Sequence, residues 1–202
     1  MCIRDSLTGV VRQVSQKTAR SSADHDDFRA RFRDRLDALA RVQGLLSRLT
    51  EQDRVTFDEL LLSELAAHRA DPGHDDRVHL DGPAGIRLRS TTVQTLAMAM
   101  HELATNAVKY GALGQPSAQL AITWRVEDGV QPWLDIDWCE TGVAMPAHRP
   151  SAGGGQGREL IERALPYQLA AKTTYVLDDD GVHCTIVVPV SATNASSKRD
   201  DG

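Results

Sequence analysis

The chain has 202 residues and a formal net charge of −5, with 41% hydrophobic and 25% charged residues. This length suits one large domain or two small ones, and the composition is that of an ordinary globular protein. The acidic balance argues against a broad nucleic-acid surface, which needs a basic domain. No apolar run approaches the roughly 20 residues that span a bilayer, and the N-terminus lacks a signal-peptide core. We therefore expect a cytoplasmic protein without a membrane segment, whose three cysteines stay reduced.

The first fifty residues have a helical pattern. We predict a helix over about 7–19, a tight turn at 21–23, and a second helix that begins beside Asp24, Asp26 and Asp27, where the helix dipole favours carboxylates. Its apolar residues recur every three or four positions: Phe28, Phe32, Leu36, Leu39, Val42, Leu46 and Leu49. Two helices alone cannot cover so long a seam. A second copy of the chain would complete a four-helix bundle, so we expect a homodimer.

Strands and helices are mixed in the remainder of the chain. The patterns predict helices at about 57–69, 91–110 and 158–169, and strands at 77–80, 86–89, 120–126, 134–140, 173–177 and 183–190. Antiparallel strands with helices on one face form a two-layer α/β sandwich, so the expected fold class is α+β. We assign the helical hairpin to residues 1–52, the sandwich to 53–190 and a disordered polar tail to 191–202.

The predicted helix at 91–110 has a polar row opposite its apolar face. Glu102, Asn106 and Lys109 are spaced i, i+4 and i+7, so they line up on one side. An amide oxygen can coordinate Mg²⁺, an amine can meet a phosphate oxygen, and a carboxylate can take a proton or order a water. The alternative is an ordinary solvated helix face.

The strand at 134–140 ends in a carboxylate. By the two-residue period of a strand, Glu140 shares the apolar face of Trp138. A buried carboxylate must find a hydrogen-bond donor, and an adenine amino group is one candidate. Alternatively the strand ends at Cys139 and Glu140 turns to solvent.

A glycine-rich segment, GGGQGRELIE, spans residues 153–162. Glycines directly before a helix can expose backbone N–H groups to a phosphate. The alternative is a flexible loop. The three signals nevertheless occur in order, each on an element that nucleotide chemistry requires.

These residues resemble a known family. HELATNAVKYGAL (residues 101–113) resembles the N-box of the HWE class of sensor histidine kinases, and Trp138-Cys139-Glu140 resembles its Trp-x-Glu motif. Gly142 matches the glycine after the acidic position. Gly155-Gln156-Gly157 resembles the second glycine box, although the family usually has an aromatic residue where Gln156 stands.

The resemblance implies a Bergerat-type ATP-binding fold, related to the ATPase domain of gyrase. It implies that Asn106 holds Mg²⁺, that Glu140 reads adenine, and that residues 143–157 form a lid. Glu102 and His101 become candidate catalytic residues, although helix packing also explains His101. The candidate cofactor-binding residues are Asn106, Lys109, Glu140, Gly142, Gly155 and Gly157. ATP and Mg²⁺ are the expected cofactors, and a response-regulator receiver domain is the expected partner.

The sequence departs from the family at the phosphoacceptor. The acceptor histidine of a His-Arg-x-Lys-Asn box should fall near Cys2, but Met1–Ser6 contains no histidine. We therefore expect either a fragment with a foreign start or a chain that has lost its acceptor. The leading hypothesis is a histidine kinase of two-component signal transduction. The alternatives are a non-catalytic module for ATP binding and dimerisation, and a gyrase-like ATPase switch.

Overall fold

The structure, a computed structural model, describes residues 15–16, 18–19, 24–47, 54–68, 76–144 and 156–190. The longer helices are α1 (His25–Ser47), α2 (Phe57–Ala67) and α3 (Ser90–Lys109), and a 3₁₀ turn (Ala112–Gly114) follows α3. The strands are β1 (Val78–Asp81), β2 (Gln119–Glu127), β3 (Trp133–Thr141), β4 (Lys172–Leu177) and β5 (Val182–Pro189). Within the described residues, no helix combines the length and apolarity that crossing a membrane requires. Most of the predicted first hairpin helix, its turn and the predicted tail lie outside the described residues.

The five strands form one mixed sheet in the order β1-β2-β3-β5-β4. The expectation of antiparallel strands is wrong at one edge, because β1 pairs with β2 in parallel. The physical reason is the connection: the chain leaves β1, forms α3 and returns in β2, and such a helical crossover joins parallel neighbours. The other pairings are antiparallel, as expected.

The predicted strand at 86–89 does not join this sheet. Arg87 forms a single antiparallel bridge with Thr56. The flanking hydrogen bonds run from Phe57 N–H to Ile86 O and from Leu88 N–H to Val55 O, both 2.9 Å. The segment therefore pairs with the start of α2. Alternating apolar residues do not specify which partner an extended segment will find.

The sheet is covered on one face, which confirms the α+β sandwich. Along β3 the side chains alternate between buried and partly exposed positions. The buried side chains of the sheet pack against α2 and α3. The largest fully buried residues of this core include Trp138, Phe57, Leu60, Leu61, Leu96, Met100 and Ile122. The opposite face is polar and carries contacts such as the hydrogen bond between His183 Nε2 and Asp137 Oδ2 at 3.0 Å.

The second hairpin helix, α1, packs against α3 rather than standing apart from it. Asp24 caps α1, since its Oδ1 accepts the N–H groups of Asp26 and Asp27 at 2.9 and 2.8 Å. Further along, Ala38 and Leu39 of α1 form a small apolar cluster with Met98 of α3. The solvated polar face that was the alternative for α3 is therefore covered in part by another helix.

The helix predicted at 158–169 is present but irregular. It begins as α4 (Gln156–Glu159), widens into a π-helical segment (Leu160–Ala164) and ends as α5 (Leu165–Leu169). In the widened part the Leu165 N–H bonds to Leu160 O, five residues back. Pro166 follows at once. Proline lacks an N–H and clashes with the preceding turn, which explains the departure from α geometry there.

Candidate functional site

A cleft lies along the polar row of α3. Glu102, Asn106 and Lys109 line it together, as the helical spacing predicted. Residues of α1 complete its wall, and these are Arg31, Asp34 and Arg35. The cleft is thus built from two helices that lie in different predicted domains. A carboxylate, an amide and an amine face one space, which is the donor set that a magnesium–phosphate group requires.

Gly157, in the first turn of α4, packs against the polar row of α3. A Cβ atom at Gly157 would lie 2.9 Å from Glu102 Oε2 and 3.2 Å from Asn106 Nδ2. The glycine-rich segment therefore reaches the polar row directly, and a larger residue at this position would have to displace the side chains of Glu102 and Asn106. Gly155 lies outside the described residues, so its role stays a prediction.

Glu102 is held by an arginine from α1. Its Oε1 accepts a hydrogen bond from Arg35 Nε at 2.6 Å and forms an ion pair with Arg35 Nη2, also at 2.6 Å. Arg35 in turn donates through Nη1 to the hydroxyl of Thr18 at 2.9 Å. Glu102 is 9% exposed and Thr18 is fully buried. A buried ion pair is strong only when the other N–H groups of the arginine also have hydrogen-bond acceptors. Here the Thr18 hydroxyl accepts from one of them.

His101 points to a different partner from Glu102. It is 5% exposed, and its Nδ1 lies 3.3 Å from Glu64 Oε2 of α2 and 3.2 Å from Arg41 Nη2 of α1. Arg41 also donates to Glu64 Oε2 at 2.7 Å. His101 therefore ties α3 to both neighbouring helices, and the packing explanation for this residue has specific contacts behind it.

A second histidine belongs to the same cluster. His68 Nδ1 donates to the carbonyl of Glu64 at 2.8 Å, so in the neutral ring Nε2 is left to accept from the Thr105 hydroxyl at 3.0 Å. One ligand atom each from Glu64, His68 and His101 lies within 4.8 Å of the others, close enough to hold a metal ion. The Arg41 guanidinium already supplies positive charge there, so the cluster is explained as an ion-pair network.

Burial and charge shift the titration of this cluster. Burial alone would raise the pKa of Glu64, but hydrogen bonds and charges from His101 and Arg41 outweigh it and bring that pKa below 4.5. Burial disfavours the charged ring of His68 and lowers its pKa below 6.5, against the opposing hydrogen bond to the Glu64 carbonyl. At neutral pH the network therefore contains a carboxylate and a neutral imidazole.

Glu140 faces inward, as the strand period predicted, and is 4% exposed. Its donors are protein groups: Trp138 Nε1 at 2.9 Å on Oε1, and the backbone N–H of Ala112 at 2.7 Å on Oε2. Burial raises the pKa of Glu140, and these two hydrogen bonds counteract it. Both oxygens already have partners, so burial by itself no longer calls for an adenine donor.

The glycine after α3 makes this arrangement possible. Gly111 follows the end of α3, and its φ of −118° lies outside the left-handed region that favours glycine. A Cβ atom there would lie 1.9 Å from Glu140 Oε2 and 2.9 Å from the Cα of Ala107. Gly111 is required by close packing instead. It brings Glu140 to the C-terminal end of the helix that carries Asn106 and Lys109.

Gly142 occupies a turn beyond β3. Its φ is +71°, in the region that favours glycine, and its N–H donates to Asp180 Oδ1 at 3.0 Å. The residues that sequence reasoning missed are those that join α1 and α2 to the site, namely Arg35, Arg41 and Glu64. Charged residues on predicted amphipathic helices look like solvated faces, so no sequence signal distinguished them.

Comparison with known proteins agrees with this architecture. Residues 4–84 match the model of a family described as HWE histidine kinase. A blue-light-activated histidine kinase of Brucella ovis is 28% identical over 186 residues, which is 90% of this chain and 36% of that protein. The protein of the same name from Brucella anthropi is 29% identical over 187 residues, covering 91% and 36%. The chain thus spans about a third of the length of these relatives.

Two solved structures share the fold. The blue-light activated histidine kinase of Erythrobacter litoralis EL346 superposes with a TM-score of 0.61 at 14% identity, covering 95% of this chain and 61% of that one. Its histidine kinase domain gives 0.57 at 15% identity, covering 91% and 96%. The match to this domain includes nearly all of both chains.

Proposed function

We propose that the chain is a histidine kinase of the HWE class, which binds Mg²⁺-ATP in the cleft of α3 and transfers the γ-phosphoryl group to a protein histidine. The observation that carries the proposal is the approach of Gly157 to Glu102 and Asn106. It joins a glycine-rich segment to a carboxylate and an amide in one space. In an ordinary solvated helix face, no glycine segment would pack on the polar side chains in this way.

In this proposal Asn106 would hold the magnesium ion through its amide oxygen, and Lys109 would meet a phosphate oxygen. Magnesium would supply neutralisation of the β- and γ-phosphate charges. Glu102 accepts the proton from the incoming imidazole. A bond forms between an imidazole nitrogen and the γ-phosphorus, the bond from phosphorus to the bridging oxygen breaks, and its electron pair leaves with ADP.

The adenine would bind near the C-terminal end of α3. Glu140 lies beside Gly111 there. Each of its carboxylate oxygens has two acceptor sites, and Trp138 and Ala112 each occupy one. Glu140 would therefore accept a further hydrogen bond from the adenine amino group. Gly142 and Gly155 are proposed to provide backbone freedom, Gly142 beside the adenine site and Gly155 in the proposed lid of residues 143–157. His101 is proposed to act from the rim by holding α3 against α1 and α2.

Two partners follow from this proposal. The phosphoryl group passes onward to an aspartate of a response-regulator receiver domain. The aromatic rings of Phe28 and Phe32 on α1 stack at 5.5 Å and remain only partly buried, which supports α1 as a dimerisation surface for a second copy of the chain. We propose that the accepting imidazole belongs to a helical hairpin, and that a separate chain can supply this hairpin.

One assay tests the proposal. The protein is incubated with γ-labelled ATP, with and without an added hairpin that carries a His-Arg-x-Lys-Asn box. Acid-labile label on the hairpin supports the kinase. Free phosphate alone supports an ATPase switch, and nucleotide binding without turnover supports a non-catalytic module; either result contradicts the proposal.

The binding half of the proposal has its own test. Asn106→Ala should abolish Mg²⁺-ATP binding in calorimetry, because the proposed metal ligand is removed. Gln94→Ala, a change on the same helix outside the cleft, should leave affinity unchanged. Unchanged affinity in Asn106→Ala would refute the site.

A further inference from the structure

We propose that Arg35, a residue of the hairpin helix α1, is a positioning residue for Glu102 and completes the catalytic site from outside the ATP-binding unit. The inference rests on the proposed function and deepens it. In this inference α1 contributes to the catalytic site in addition to its proposed role in dimerisation.

The geometry of the carboxylate carries this inference. Both Arg35 donors, Nε and Nη2, converge on Oε1 of Glu102 at 2.6 Å. The other oxygen, Oε2, lies on the side of Gly157, where a Cβ atom would come within 2.9 Å of it. Oε1 is therefore anchored by Arg35, and Oε2 faces the glycine-rich segment. In many enzymes the catalytic base is likewise oriented by another residue, which bonds to the atom of the base that does not take the proton.

The anchor itself is buried and braced. Arg35 is 7% exposed, and its Nη1 donates to the Thr18 hydroxyl at 2.9 Å. The guanidinium therefore bonds both to the carboxylate and to Thr18, which lies earlier in the chain than α1. A planar group held at both ends fixes the rotamer of the carboxylate more firmly than a surface ion pair does.

A second contact keeps Arg35 in register. Arg41, two turns further along α1, donates to Glu64 Oε2 at 2.7 Å and lies 3.2 Å from His101 Nδ1. His101 and Glu102 are adjacent on α3, so these neighbours are each engaged by a different arginine of α1. Sliding or rotating α1 would break both contacts together.

The test compares Arg35→Ala with Glu102→Gln, their double variant, and Arg33→Ala as a matched control. Arg33 is an exposed arginine of the same helix. The readouts are the affinity for ATP, and the KM for ATP and the kcat of label transfer to the added hairpin. We expect Arg35→Ala to lower kcat by roughly 10- to 100-fold, as loss of an orienting partner does, with KM for ATP nearly unchanged. Arg33→Ala should match the wild type.

Two further measurements separate positioning from a general structural role. In the double variant the Arg35 effect should vanish, because Arg35 acts only through Glu102. Guanidinium ion at millimolar concentration should restore part of the rate of Arg35→Ala, and Arg35→Lys should restore less than half of it because ammonium cannot place two planar donors on one oxygen.

A wild-type kcat in Arg35→Ala, or an equal additional loss in the Glu102→Gln background, overturns the positioning role. If Glu102→Gln itself keeps the full transfer rate, or if the wild type transfers no label, the proposed function fails together with the inference. If Glu102→Gln is inactive while Arg35→Ala is fully active, only the inference fails.

Discussion

The indole N–H of Trp138 donates a 2.9 Å hydrogen bond to the carboxylate of Glu140, two residues along the same strand face. Trp138 is 1% exposed, so neither group has access to bulk water. The Trp and the Glu of the Trp-x-Glu motif therefore form one physical unit. The Trp supplies a donor that allows a carboxylate to be buried beside the C-terminal end of α3.

This pairing predicts that Trp138→Phe destabilises the protein by about 1–3 kcal/mol beyond the loss of ring volume, because Glu140 Oε1 would be left buried without its donor. The control is Trp124→Phe, since Trp124 Nε1 donates to the neutral carbonyl of Pro83 at 2.9 Å. Urea unfolding of both variants measures the difference. Equal losses would show that the bond to Glu140 has no special weight.

Gly111 allows the third partner of this unit to approach. Gly111→Ala should cost about 1–3 kcal/mol, since the new Cβ would overlap Glu140 Oε2 and crowd the backbone of Ala107. Gly44→Ala is the matched control, because no atom lies within 4 Å of its Cβ position in α1. That change should stabilise the helix by about 0.5–1 kcal/mol. Thermal unfolding of the two variants should therefore shift in opposite directions.

Gly157→Ala tests the contact between the glycine segment and the polar row. The added methyl group would press on Glu102, whose carboxylate cannot yield easily because Arg35 holds Oε1. We expect Mg²⁺-ATP affinity to fall roughly tenfold, which corresponds to about 1.4 kcal/mol, while the unfolding midpoint changes little. Gly129→Ala, in the turn between β2 and β3, should bind nucleotide normally. An unchanged affinity for Gly157→Ala would place phosphate binding elsewhere.

The network of Glu64 and His68 predicts an acid-sensitive stability. The folded-state pKa of His68 lies below 6.5, so the unfolded chain binds this proton more tightly. The resulting stability is present above pH 6.5 and is lost as the pH falls through the folded-state pKa. Glu64, with a pKa below 4.5, loses its contribution only in more acidic solution. The raised pKa of Glu140 acts in the opposite sense, since its stabilising effect is present below pH 4.5 and is lost as the pH rises.

His68→Gln should therefore flatten the fall in stability between pH 6.5 and pH 4.5. His79→Gln changes an exposed histidine of β1 and serves as the control. Denaturant midpoints measured at half-unit pH steps provide the comparison. A profile for His68→Gln that is parallel to the wild type over this window would contradict the assignment.

Local periodicity predicted most of the elements from the sequence. The polar row of Glu102, Asn106 and Lys109 and the inward direction of Glu140 needed only the helical and strand repeats, since these repeats decide which side chains share a face. The parallel pairing of β1 with β2 was beyond that reach, as was the partner of residues 86–89. Register and partner choice depend on how distant segments meet, and a pattern within one segment does not contain that information.

The sequence by itself determined an α+β chain with an HWE-like helix, a carboxylate on an apolar strand face and a helix that begins within the glycine-rich segment. Only the tertiary structure decided that Glu140 finds its donors in Trp138 and Ala112, and that Arg35 reaches Glu102 across 67 positions of sequence. The physical reason is that an arginine on an amphipathic helix has the same local pattern whether it meets water or a carboxylate. Packing of α1 on α3 removes the water and makes that choice.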